Sequence, residues 1–73
     1  MPKLPVISGA QAVKAFCKAG WRVDRQWESH VVMLKAGSIV SLSFPQHREV
    51  APGTLRSLIR NADMSVEQFC QLL

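Results

Sequence analysis

No apolar run in this chain approaches the roughly 20 residues that a membrane-spanning helix needs. No N-terminal stretch has the charged-then-apolar form of a secretion signal. The expectation is a cytoplasmic protein with no membrane partner. Cysteine is scarce. Only Cys17 and Cys70 occur, both at apolar helical positions and without metal-ligand spacing, so buried reduced thiols are expected in preference to a disulfide. No clustering of Asp, Glu, His or Cys suggests a metal site, and neither a metal nor another cofactor is expected. Repeats, low-complexity tracts and linkers are lacking, so residues 1–73 are expected to form a single domain. Acidic residues are few, five against nine Lys/Arg, for a net charge of +4. That balance suits a polyanionic partner, nucleic acid above all.

What is present is enough hydrophobic sequence for a core, 48% of residues. A chain this short buries only about 60% of its unfolded surface, so modest stability is expected. Met1 to Ile7, with Pro2 and Pro5, reads as an extended lead-in. Ser8 and Gln11 form a capping-box pattern opening a helix from about Gly9 to Ala19, which Gly20 ends. Val13, Phe16 and Cys17 make its inward stripe. Trp21 to Trp27 alternates as a strand, with Trp21, Val23 and Trp27 facing the core. Both tryptophans are therefore expected to be core, not base-stacking platforms. A second strand runs from His30 to Leu34, a turn spans Lys35 to Ser38, and a third strand spans Ile39 to Phe44. Leu55, Leu58, Ile59 and Ala62 stripe a second helix with Thr54 as N-cap, and Ser65 with Gln68 opens a short third. The order implies an α+β protein, a double-stranded-RNA-binding-domain-like fold: a three-stranded antiparallel sheet covered on one face by helices.

Pairing Leu34 with Ile39 puts Val31 and Met33 on the covered face. His30, Val32, Leu34 and Ile39 then lie on the open one, His30 beside Ser43 and near Gln26. A meander also brings the first turn to the end of the third strand, so Glu28, Ser29 and His30 are expected beside Pro45, Gln46 and His47. The N-terminus of the Thr54 helix is expected nearby, where its free N–H groups favour phosphate. His30 stands at a strand start, where an imidazole serves either as an acid/base group or as an exposed turn residue. His47 is either a second such group or a loop-holding side chain. Arg56 and Arg60 make a solvated ridge or a backbone-contacting patch.

With these pieces in place the chain resembles the HicA-type toxins of bacterial type II toxin–antitoxin systems. The resemblance is carried by Gly20-Trp21, Ser29-His30, Pro45-Gln46-His47 and Gly53-Thr54-Leu55-Arg56, in this order and spacing. It implies a ribosome-independent mRNA interferase with the fold above, neutralised by a HicB-type antitoxin; the lack of a metal-ligand cluster adds the expectation that it cleaves without a metal. It also implies that His30 is catalytic, as the His of a Gly-Ser-His motif. Ser29, His47, Arg48, Thr54 and Arg56 are the residues expected to hold RNA phosphate. Val32, Leu34 and Ile39, aliphatic on an open face, are expected to meet the antitoxin. The chain departs from the motif at its glycine, which is Glu28 here. A non-catalytic RNA-binding module of the same fold is the alternative that Glu28 favours. A subunit that binds only protein is a third.

Overall fold

The chain begins its regular structure where a side chain can satisfy a helix's first free amides. The computed structural model describes residues 4–46 and 48–73. In it the Ser8 side chain accepts a hydrogen bond from Gln11 N–H, while the Gln11 side chain accepts from Ser8 N–H. That reciprocal cap starts α1 (Gly9–Lys18). It ends where Gly20 turns left-handed at φ 100°, and Trp21 N–H reaches back to the Phe16 carbonyl as Gly20 N–H does to that of Cys17. The buried side of α1 is Ala12, Ala15 and Phe16, with Val13 half-buried. Cys17, expected inside, is exposed, and Cys70 is half-buried. A three-turn helix has one narrow buried stripe, and small alanines let α1 lie close to its neighbours along the 12–15–16 line instead.

Three strands follow in the order β1 (Arg22–Trp27), β2 (His30–Leu34) and β3 (Leu42–Pro45), each antiparallel to the next. Two expectations about them change. The first is the face of Trp27. Between Val23 and Arg25 the β1–β2 register shifts, leaving Asp24 as the extra residue of a β-bulge. Val23 pairs with Met33 but, on the edge strand, is 45% exposed and not core as expected, and beyond the bulge Arg25 pairs with Val32 and Trp27 with His30. Trp27 is consequently 69% exposed, whereas Trp21, at 4%, is core as expected.

The second is the start of β3. Ile39, Val40 and Ser41 stay out of the ladder, because the Ser38 hydroxyl accepts a hydrogen bond from Val40 N–H at 3.2 Å and offers the backbone a local alternative to pairing. Ser38 N–H itself closes a turn onto the Lys35 carbonyl. Met33 pairs with Leu42 and Val31 with Phe44, a register displaced by two residues from the expected one. An even slip preserves the faces. Val31, Met33, Leu42 and Phe44 are buried, while His30, Val32 and Ser43 look outward. Ile39, expected on that outward face, is fully exposed in the loop.

α2 (Pro52–Asn61) starts one turn earlier than Thr54 predicts. Pro52 occupies its first position, where the missing N–H costs nothing and the ring presets φ; Ala51 is the N-cap residue and no side chain caps it. Leu55, Leu58, Ile59 and Ala62 are all buried, as the stripe predicts. Asp63, left-handed at φ 59°, closes the helix, with Met64 N–H donating to the Ile59 carbonyl. Ser65 and Gln68 form the second capping box, opening α3 (Val66–Cys70). Phe69 of α3 is buried, while Leu72 is half-buried and Leu73 exposed. The core centres on Phe16, whose ring centroid lies 5.0 Å from that of Phe69 and 6.1 Å from that of Phe44. One aromatic thus joins α1, the sheet and α3, and burying each such ring contributes roughly 1.5–3 kcal/mol.

Candidate active site on the open sheet face

The helices leave one face of the sheet uncovered, and the polar residues of the hairpin stand on it. Glu28 and Ser29 make a two-residue turn between Trp27 and His30. A hairpin this tight needs a positive φ in its loop to match the strand twist. Glu28 supplies it at φ 53°. The glutamate therefore turns the corner that a glycine would turn, and its carboxylate stays exposed beside Ser29.

His30 is exposed at the first position of β2. It looks into an open concavity of about 570 Å³, lined also by Arg25, Gln26, Trp27, Val32 and Ser43. Ser43 and Gln26 line the concavity with His30 as expected, although the bulge sets Gln26 opposite the buried Val31 in the ladder. Arg25 and Trp27 are the additions that strand alternation missed, because the bulge inverts parity beyond Asp24. One signal for Trp27 was available. Across a two-residue turn the flanking residues pair directly, so Trp27 must share the face of His30 whatever happens further along β1. Arg25 lies 3.8 Å from the Asp24 carboxylate, both well exposed, so the pair is weak and its guanidinium free to engage a ligand.

The hairpin turn and the end of β3 meet at one edge of the sheet. Gln46 N–H donates to the Ser29 carbonyl, tying the end of β3 to the hairpin turn. Arg48 is exposed in the loop that follows. His47 lies outside the described residues. The helix end packed against Pro45 and Gln46 is that of α1: a Cβ built on Gly9 would stand 2.9 Å from Gln46 Cα and 3.1 Å from the Pro45 carbonyl oxygen. Thr54 and Arg56 are exposed on α2, and Arg56 lines a separate groove with Arg60, Asp63 and Ser65 between α2 and α3. The fold thus gathers Ser29, His30 and Val32, with Leu34 further along the same face of β2. It sets Arg56 in another groove and Ile39 in the loop at the far end of the sheet, beside Lys35 and Gly37.

Among the described residues no group of three or more His, Cys, Asp or Glu is arranged to hold a metal ion. The chemistry on offer is an exposed imidazole flanked by a guanidinium, an amide, a hydroxyl and an indole. Such a set has the groups needed to hold an anionic, aromatic ligand and to move a proton on it. Comparison with protein families finds a match over residues 9–64 to the family described as HicA toxin of bacterial toxin-antitoxin systems. The match runs from the start of α1 to the close of α2 and so contains the hairpin and the whole sheet. Searches of curated proteins and of solved structures return no match.

Proposed function

The chain belongs to the HicA toxin family of bacterial toxin–antitoxin systems, and on that premise we propose that it is a ribosome-independent mRNA endoribonuclease working without a metal. The observation that carries the reading is His30, exposed on the uncovered sheet face inside a concavity that also holds Arg25. In the proposed step the 2′-oxygen of a nucleotide bonds to the adjacent phosphorus as the 5′-oxygen leaves. The His30 imidazole takes the proton from the 2′-OH or delivers one to the leaving oxygen, a role worth roughly 10²–10⁴-fold. Ser29 and Arg48, at the hairpin edge, and His47 hold the scissile phosphate. Thr54 and Arg56 contact the RNA backbone further away. The toxin acts in the cytoplasm as a single domain; among the described residues no helix is long and apolar enough to cross a membrane. A HicB-type antitoxin is the protein that neutralises it.

The second reading, a non-catalytic RNA-binding module, is favoured by one observation. The Glu28 carboxylate stands two residues from His30, on the turn where phosphate would approach. Both readings are separated by incubating labelled mRNA with the purified protein and with His30→Ala in EDTA. The expected result is metal-independent cleavage by the wild type, slowed at least 100-fold or so in the variant, with unchanged circular dichroism. Equal cleavage by the two proteins overturns the assignment of His30. Binding without cleavage by the wild type favours the second reading.

A further inference from the structure

The bulge at Asp24 leaves an indole on the open face with no packing role. Trp27 is 69% exposed and stands outside the hydrophobic core. It pairs directly with His30, and directly opposed residues of an antiparallel pair carry their Cβ atoms roughly 5 Å apart on the same face. The same concavity holds the Arg25 guanidinium, the Gln26 amide and the Ser43 hydroxyl, with Val32 as its one aliphatic residue. We propose that Trp27 is a stacking platform for a nucleobase of single-stranded RNA, seating one nucleotide so that its phosphodiester meets His30. The proposal rests on the ribonuclease reading and adds to it the residue that positions the substrate.

Three features favour a base over a protein side chain as the occupant. A flat, solvent-facing indole offers its π-face to any base, and base–aromatic stacking is the usual way that single strands are held without sequence readout. Arg25, on the same face, supplies positive charge for the neighbouring phosphate in a chain of net charge +4. Gln26 and Ser43, which line the same concavity, supply hydrogen-bond donors and acceptors that suit base edges and leave an aliphatic partner unmatched. The preference among bases then lies with these two residues, while Trp27 sets affinity.

The test uses the full chain carrying His30→Ala, so that RNA binds without being cut. Trp21 is buried and Trp27 exposed, so quenching of tryptophan emission on adding a short single-stranded RNA reports Trp27. Adding Trp27→Ala to this background is expected to weaken RNA binding by roughly 5- to 150-fold and to remove the quenching, with circular dichroism unchanged. Trp27→Phe is expected to restore most of the affinity. The dependence of affinity on salt is expected to keep its slope in Trp27→Ala, because a stack lost from the site releases no phosphate contact. Unchanged RNA affinity in Trp27→Ala, with the parent binding well, overturns the stacking platform and leaves the ribonuclease reading standing. Loss of antitoxin binding with RNA binding intact also overturns it, and makes Trp27 a protein-docking residue. If the parent binds no RNA and the wild type cuts none, the ribonuclease reading fails and the platform falls with it.

Discussion

Glu28 is the residue at which local strain and function meet. Its φ of 53° is left-handed, a region that costs a residue with a Cβ about 1–2 kcal/mol relative to right-handed backbone. Among the described residues the carboxylate has no hydrogen bond or ion pair to offset that cost. Glu28→Gly is expected to raise unfolding stability in urea by about 1 kcal/mol, part of the relief being offset by the greater freedom of glycine in the unfolded chain. It also removes a negative charge beside His30, so RNA binding or cleavage is expected to rise as well. A variant that is more stable yet less active would give the carboxylate a role in holding the imidazole. A variant that is less stable would mean that the turn is held by something other than backbone freedom.

At the scale of elements, the contact that frames the site is between the first turn of α1 and the end of β3. Gly9 is buried, and a methyl group there would press on Gln46 Cα and the Pro45 carbonyl oxygen, backbone atoms that cannot swing aside as the neighbouring Gln46 Oε1 can. Gly9→Ala is therefore expected to cost roughly 1–3 kcal/mol, the usual penalty of overpacking, despite the higher helix propensity of alanine. The displaced segment is the one whose Gln46 N–H is bonded to the Ser29 carbonyl. A loss of cleavage larger than the lost stability explains, measured well below the unfolding midpoint, is the further expectation. Unchanged thermal stability would show that α1 can slide away from the strand. The other elements tolerate change better. Ser8 and Ser65 each contribute a reciprocal cap, worth typically about 1 kcal/mol.

For the whole molecule, the division into a covered and an open face leaves one sheet surface on which the proposed RNA and antitoxin are expected to compete. Val32 and Leu34 are half-buried on the open face, not beneath the helices. The antitoxin is expected to cover this face and shield His30 by occlusion. Val32, however, lines the concavity with His30, so a charge there disturbs RNA and antitoxin alike. Leu34 pairs with Arg22 at the other end of the hairpin, and Leu34→Glu is the substitution expected to release the toxin from its antitoxin while sparing cleavage. Co-purification of the two proteins, followed by the RNA assay, checks it. Retention of the antitoxin by Leu34→Glu would move the docking surface elsewhere, with the fully exposed Ile39 loop the next place to probe.

The presence and order of the helices, both capping boxes, the three-strand meander and the exposure of His30 were legible because each depends on neighbours within a few residues or on strict alternation. Those signals survive any tertiary arrangement. The register of β3 was two residues off, yet the faces came out right, since a side-chain period of two forgives even slips. Features that break the period emerged only on folding. The bulge at Asp24 reverses which face every later residue of β1 serves, and it delivers Trp27 and Arg25 to His30. No residue type announces a bulge; it arises where two strands and a helical layer must fit together at once. Cys17 went outward for a related reason, because the packing of α1 against its neighbours, not its own apolar residues, chose the buried stripe. Local patterning is enough for the elements and for the face of His30. The folded chain decided what stands beside that histidine, because side chains far apart in sequence meet only through the register of the strands that carry them.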